Sequence, residues 1–291
     1  MTKKRILTGA VLAFAQISTG SAFADDAGLM PYQRGTAPAA EVRSSLNAAG
    51  FEIVGEYSPY ANAQIIAISN DALRSAAAES DFGGYGAALR VSITTVDGVD
   101  QIAYNNPAYI SNIYRMNSDL SAVQTALEGA LGNQGQFGAK KGLSAERLRK
   151  YRYKIGMPGF MGHMKIAAHG SYAEAVAAVE AGLNQHKLGV GKVYRVDVPG
   201  KDETLFGVSL SEAAEDAGDA HVMATVDKEH IRSTPHLSYE ILVSGDTAYM
   251  LGGRFRIAQS FPSLTMGTFM KINSSPGAIK KALKEAANGA E

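Results

Sequence analysis

The sequence predicts an α+β fold made of two tandem copies of a small α/β sandwich-like domain, each a largely antiparallel sheet with helices packed on one face. The 291 residues are 46% hydrophobic, which is typical of a folded protein and long enough for about two domains. Hairpin signals recur without regular βαβ alternation, which favours antiparallel sheets. Similar apolar stretches also recur 155 residues apart, around Ile102 and Ile257.

The chain opens with the pattern of a secretory signal peptide. Basic residues at 3–5 precede an apolar stretch at 6–14, and residues 21–24 carry the small side chains of a cleavage site. We therefore expect cleavage after Ala24 and a periplasmic mature protein. The apolar stretch is shorter than the ~20 residues that span a bilayer, and no later stretch approaches that length, so the sequence predicts no transmembrane segment.

The elements of the first copy can be predicted in order from its caps, alternation and turns. Thr36 is a plausible N-cap for a helix that ends near Gly50. Strands at 51–57 and 64–68 follow, and then a helix from about Asp71 through Ala78. Residues 81–86 are rich in glycine and predict a loop that could act as a lid. Asp97-Gly98, between two apolar runs, is a strong hairpin signal.

The second copy is predicted from matching positions. Ser171 is a plausible cap for its first helix, and Gly245-Asp246 marks its hairpin. The stretch from Ile102 to Pro107 matches the stretch 257–262, so we expect the two prolines to occupy equivalent places. The predicted division is a signal peptide at 1–24, a first domain at 25–132, a basic linker or helix at 133–161 and a second domain at 162–291.

Three stretches together resemble a known bacterial family. These are Gly-Phe-x-Ile-x-x-Glu-Tyr at 50–57, the strand 65–70 and a valine-rich hairpin that ends in Asn-Pro at 106–107; residues 234–239 are similar to the family's entry into this hairpin. The chain thus resembles a tandem repeat of the domain-of-unknown-function family 302. The resemblance implies compact α+β domains that often dimerise, hence a possible homodimer. It implies no agreed activity and transfers no functional residues.

Soft side chains cluster between the two predicted domains. All six histidines lie between 163 and 236, and three methionines surround the first of them. Thioether and imidazole groups suit copper, and the chain has no cysteine to compete. We expect this junction to line a ligand site, and a copper site is an alternative to simple packing of the methionines. The predicted ligand-binding residues are Met157, Phe160, Met161, His163 and His169, and the alternative copper ligands are Met161, His163 and Met164.

The remaining histidines follow no recurrent metal spacing. His221, His230 and His236 are separated by nine and six residues, which matches no zinc signature. We interpret them as surface residues, although a site with the neighbouring carboxylates is conceivable. Neither a Gly-x-Ser-x-Gly motif nor a phosphate-binding glycine loop occurs in the sequence.

A basic stretch lies at 139–154, with seven Lys and Arg residues and one Glu. One interpretation is a solvated connecting helix. The other is a docking surface for an anionic partner or membrane face, formed by Arg147, Lys150 and Arg152, with neighbouring tyrosines stacked at the contact. The export signal and the balance of 28 basic and 28 acidic residues argue against nucleic acid as a partner.

These observations predict an exported periplasmic binding or interaction protein that is not a catalyst. Its ligand would be a small molecule or a protein partner of unknown identity, and no cofactor is evident. The first alternative is a copper-binding envelope-stress protein that uses the Met/His cluster. The second is an enzyme of unrecognised type.

Overall fold

The computed structural model describes residues 28–153 and 159–289, which form two antiparallel sheets with helices. The N-terminal sheet has six strands, and the C-terminal sheet has five. The α+β prediction with antiparallel sheets is confirmed. The predicted signal peptide lies outside the described residues.

The elements that build the N-terminal sheet and its helices come first in the chain. They are β1 (Tyr32–Arg34), α1 (Val42–Ala48), β2 (Glu52–Tyr57), β3 (Ala63–Ser69), α2 (Asp71–Ala78), β4 (Leu89–Val96), β5 (Val99–Asn105), α3 (Pro107–Ile113), α4 (Ser121–Leu131), β6 (Gln136–Phe137) and α5 (Ala145–Arg149). A 3₁₀ turn at Gly83–Gly86 precedes β4.

The elements of the C-terminal sheet follow. They are β7 (Met164–Ala168), α6 (Tyr172–Asn184), β8 (Gly191–Asp197), β9 (Glu203–Ser209), α7 (Asp219–Val226), β10 (Tyr239–Ser244), β11 (Thr247–Met250), α8 (Gly253–Ser260), α9 (Met266–Met270) and α10 (Ser275–Ala287). A 3₁₀ turn at Thr234–His236 precedes β10, as the other precedes β4.

The two sheets share one topology. The order β2-β3-β4-β5-β1 repeats as β8-β9-β10-β11-β7, and every neighbouring pair is antiparallel. In both halves a strand and a helix precede two strands, a second helix, a 3₁₀ turn, a hairpin and further helices. This common order is a property of the fold, and descent from a duplicated domain stays a prediction.

The predicted residue correspondence between the halves is wrong at its C-terminal end. Ile102 lies in β5, whereas Ile257 lies in α8. Pro107 is the first residue of α3, whereas Pro262 follows the end of α8. By element, α3 corresponds to α8, because each helix directly follows its hairpin. The two stretches looked alike because a short apolar run fits a strand and a buried helix equally well.

Of three predictions from local turn and cap signals, two are confirmed and one is wrong. Asp97 and Gly98 both have positive φ, at 50° and 77°, as the predicted two-residue hairpin turn requires. Ser171 caps α6 by accepting a hydrogen bond from the Glu174 amide. The Thr36 prediction is wrong, because a 3₁₀ turn intervenes and α1 begins only at Val42, with no side-chain cap.

Each sheet packs helices on one face and the opposite sheet on the other. Along β3, Ile66 and Ile68 join the core that contains α1, α2 and α4, whereas Ile65 joins the core of the C-terminal half. Conversely, Leu242 of β10, in the C-terminal sheet, packs in the core of the N-terminal half. Alternation of side chains along a strand therefore gives each sheet two buried faces.

The sheets are tied together at their edges and by the two 3₁₀ turns. A Cβ at Gly55 of β2 would overlap the carbonyl oxygen of Val193 in β8, so this crossing of edge strands requires glycine. The Gly84 amide donates to Glu203 Oε2 in β9 at 3.0 Å, and the Thr94 hydroxyl in β4 donates to Thr234 at 2.8 Å. Within the predicted lid at 81–86, residues 83–86 therefore form a buried turn between the sheets.

The segment predicted as a linker, 133–161, contributes to the folded body. Its strand β6 pairs with β1 and extends the N-terminal sheet. Leu148 of α5 is buried in the N-terminal core. Tyr151 and Tyr153 donate hydrogen bonds to carbonyl oxygens of the C-terminal half, at Ala258 and Leu264. The segment therefore contacts the N-terminal half through β6 and Leu148 and the C-terminal half through these tyrosine hydroxyls.

Candidate functional site

A pocket of about 590 Å³ opens where the segment after β6 meets the C-terminal half. Its three walls are residues 137–140, residues 226–233 at and after the end of α7, and residues 261–268, which run from the end of α8 into α9. The volume lies within the range of small-molecule sites, and junctions between domains commonly hold them. Apolar side chains from all three walls line it: Phe137, Val226, Ile231, Phe261 and Leu264.

One buried carboxyl group stands among these apolar walls. Asp227 is 6% exposed, and both of its carboxylate oxygens accept from the Ser233 amide, at 3.1 and 3.0 Å. Burial raises the pKa of Asp227 to about 6, although the hydrogen bond from Ser233 favours the ionised form. The carboxylate retains lone pairs beyond those used by one amide, so it can accept from a bound molecule.

The loop that carries Asp227 is held against the N-terminal sheet. The side-chain amide of Gln101, in β5, donates to the His230 carbonyl oxygen at 2.9 Å and accepts from the Arg232 amide at 2.9 Å. On the opposite wall, the Lys140 amide donates to Ser263 Oγ at 2.8 Å. Both halves of the molecule therefore shape the pocket, and its walls are tied together by hydrogen bonds before any ligand arrives.

The rim of the pocket carries charges of both signs. Lys140, Lys228, Glu229 and His230 line the pocket and are exposed. Mixed exposed charges give little net attraction for either sign of ligand and are screened by salt. Selectivity is therefore expected from the apolar walls and from Asp227.

The predicted ligand residues of the junction lie elsewhere, and none of those described lines this pocket. Phe160 is buried in the N-terminal core, stacked with Tyr114 at 5.3 Å between ring centroids. The His163 ring lies 3.7 Å from the ring of Phe82 and meets Tyr249 edge-on. Burial lowers the pKa of His163. Both side chains therefore pack in one aromatic group.

The other members of the predicted Met/His cluster have different surroundings. Met161 is 51% exposed, Met164 packs at the edge of the C-terminal core, and His169 Nε2 lies 3.1 Å from the Ala287 carbonyl oxygen. Met157 lies outside the described residues. Within the described ranges, no group of three or more His, Asp or Glu side chains is arranged to hold a metal ion.

The predicted docking residues are on the surface. Arg147, Lys150 and Arg152 are exposed, and Lys150 pairs with Glu146 at 2.8 Å. Arg149, from the same stretch, points inward and donates to the carbonyl oxygens of Met116 and Arg115. The docking surface stays a prediction. Over residues 28–153 and 159–289, no helix has the length and apolar character needed to cross a membrane.

The interpretation of His236 as a surface residue is wrong. Its side chain is 1% exposed and lies between the sheets, where Nδ1 is 2.9 Å from Arg256 Nη1. An arginine can only donate, so Nδ1 accepts and the imidazole is neutral, with its proton on Nε2 toward the Tyr239 hydroxyl. Burial and the neighbouring arginines lower the pKa of His236 well below its usual value, which agrees with this assignment.

Sequence reasoning considered a site formed by His230 and its neighbouring carboxylates but preferred a surface role for them, and it did not select the other residues of the pocket. The signal that could have found them is Asp227, which directly follows the apolar helical stretch 222–226. A carboxyl group next to a buried helix face carries a desolvation cost, and such groups often mark sites.

Comparison with known proteins assigns neither a family nor a function to the chain. No family model matches the chain, and neither a curated protein nor a solved structure matches it. The resemblance to family 302 thus stays a prediction, and any function must be argued from the geometry above.

Proposed function

We propose that the protein is an exported, non-catalytic binding protein whose pocket at 137–140, 226–233 and 261–268 takes a small, largely apolar molecule with a hydrogen-bond donor. The observation that carries the proposal is the buried Asp227 carboxyl among apolar walls in a pocket of about 590 Å³. The predicted signal peptide supports the exported location.

The apolar walls set the main part of the ligand. Burying apolar surface is worth roughly 25 cal/mol per Å², so rings or chains that fill the space between Phe137, Phe261 and Leu264 would supply most of the affinity. The pocket also offers hydroxyl groups, including Ser263 and Thr265, that can orient polar atoms. This composition is typical of pockets for drug-sized organic molecules.

Asp227 sets the polar part of the ligand. A carboxylate accepts hydrogen bonds and attracts a cation, so an amine on an apolar skeleton is the best match. An ammonium group beside Asp227 would favour the ionised carboxylate and lower its pKa. Affinity should therefore weaken as the pH falls through about 6, where Asp227 of the free protein takes up its proton.

A direct test is fluorescence titration with dansylcadaverine, which joins an aromatic body to a primary amine. We expect saturable binding with a blue-shifted emission, and Asp227→Asn should weaken it about tenfold or more, because hydrogen bonds to charged groups contribute about 1.5–3 kcal/mol. The variant preserves an acceptor for the Ser233 amide, so the fold should survive.

The matched control is Asp71→Asn, which removes an exposed carboxyl group that pairs with Arg74 far from the pocket walls. This control should bind the probe as the natural chain does. Equal affinity in the Asp227→Asn variant, or affinity that does not change between pH 5 and about 7, would remove Asp227 from the site.

A further inference from the structure

A second, fully buried polar site lies between the two sheets, apart from the ligand pocket. Arg90, the second residue of β4, points toward the C-terminal sheet and is 1% exposed. Its Nη1 forms an ion pair with Glu240 Oε1 at 2.9 Å. Its Nε has no hydrogen-bond partner among the described residues. A buried guanidinium donor is thus left open.

Glu240 cannot balance the charge of this region alone. The same carboxylate accepts from Arg256 Nε, through Oε2 at 3.0 Å, and Arg256 is also 1% exposed. The neighbouring His236 is neutral, as its contact with Arg256 shows. Two buried guanidinium groups therefore share one carboxylate, and one positive charge remains within these three side chains; Asp227, whose charge acts to raise the pKa of Tyr32, lies outside this group. An uncompensated charge in a protein interior is costly, so a further anion is favoured there.

A small cavity lies beside the open donor. Its volume is about 10 Å³, which is close to the space that one water-sized species needs. Arg90 and Tyr32 both line it, and the Tyr32 hydroxyl, like Arg90 Nε, has no hydrogen-bond partner of normal geometry. Burial raises the pKa of Tyr32, so its hydroxyl keeps its proton and can donate.

The other polar groups around the cavity are engaged elsewhere, except that Ser260 also lies close to the Tyr32 hydroxyl, where its contact acts to lower the pKa of Tyr32. Asn105 Oδ1 accepts from the Arg90 amide, and its Nδ2 donates to the Pro235 carbonyl oxygen. Ser260 Oγ accepts from Arg256 Nη1 at 2.7 Å. No carboxylate belongs to the described lining. The cavity therefore presents donors and positive charge, which repel a cation and leave a neutral water unable to balance the charge.

We infer that this cavity binds a single monovalent inorganic anion of halide size, such as chloride, between Arg90 Nε and the Tyr32 hydroxyl. The anion neutralises the surplus charge of the Arg90, Arg256 and Glu240 cluster and stabilises the pairing of the two sheets. The site shares no lining residue with the ligand pocket, and its occupancy responds to halide concentration.

The test is thermal unfolding in mixtures of sodium chloride and sodium gluconate at constant ionic strength, which separates halide binding from screening. We expect the Tm to rise by roughly 3 °C for each tenfold increase in chloride above the dissociation constant. Tyr32→Phe should flatten this dependence, because it removes one donor with little change of volume.

The matched control is Tyr85→Phe, which also removes a buried hydroxyl without a hydrogen-bond partner but does not line the cavity. It should keep the halide dependence of the natural chain. Crystals grown in sodium bromide should show an anomalous peak within hydrogen-bond distance of Arg90 Nε. A Tm that is the same in chloride and gluconate, together with no anomalous peak in the cavity, would overturn the inference.

Discussion

The substitution Glu240→Gln should cause a large loss of stability, because it removes the one carboxylate shared by two buried arginines. Glu240 accepts from Arg256 Nε at 3.0 Å and pairs with Arg90 Nη1 at 2.9 Å. All three side chains are at most 3% exposed, so water cannot solvate the arginine charge that loses its carboxylate partner.

The magnitude follows from this burial. Breaking a buried ion pair by removing one partner costs about 3–5 kcal/mol, since the remaining charge stays unpaired. One kcal/mol shifts the Tm of a chain of about 150–250 residues by roughly 2–4 °C. We therefore expect the Tm to fall by at least about 6 °C.

Urea unfolding followed by circular dichroism measures the loss. The midpoint should fall while the slope with urea stays constant, because the surface exposed on unfolding is unchanged. The control is Glu146→Gln, which breaks an ion pair of side chains that are 75% and 79% exposed and should leave the transition unchanged.

A triple variant distinguishes the effect of an unpaired buried charge on stability from the effect of altered packing. Replacing the cluster by Arg90→Met, Glu240→Leu and Arg256→Met removes every unpaired charge together, so it should recover much of the stability lost in Glu240→Gln. A loss below about 1 kcal/mol in Glu240→Gln would refute the reasoning, since the carboxylate would then not be the balancing charge.

Three further outcomes can be measured. Burial raises the pKa of Asp219 to about 7, so the folded state holds this proton more tightly than the unfolded state, and stability falls as the pH rises from about 4 to 7. In denaturant titrations, Asp219→Asn should remove on the order of 4 kcal/mol of this fall. A pH-independent difference in stability between the variant and the natural chain would contradict this expectation. N-terminal sequencing of protein from native periplasm should begin at Asp25, and a start at Met1 would exclude export. Reduced copper should leave the Tm of the natural chain and of Met161→Leu unchanged, whereas a rise lost in the variant would establish a copper site.

Elements with local signals could be predicted from the amino-acid sequence. The Asp97-Gly98 turn, the Ser171 cap and the apolar strand at 64–68 were all predicted correctly, because each depends on the conformation of a few adjacent residues. Their order was enough to predict an antiparallel α+β fold.

The residue correspondence between the two halves was not predicted correctly from the sequence. Ile102 and Ile257 sit in similar apolar runs, yet one belongs to a strand and the other to a helix. Both elements are buried, so hydrophobicity alone carries no period that distinguishes them. Ile102 stands in the second strand of its hairpin and Ile257 in the helix after its hairpin, and this difference in position is known only when the sheet has been assembled.

The places of the buried polar groups depend on the tertiary structure and could not be predicted from the sequence. Arg90 and Glu240 are far apart in the chain, and each stands in a strand whose pattern does not reveal that its polar face will be covered by another sheet. Asp227 likewise enters the pocket only because Gln101 holds its loop against the N-terminal sheet. Secondary structure follows from short-range preferences, whereas burial, charge pairing and the shape of a pocket depend on which distant surfaces meet.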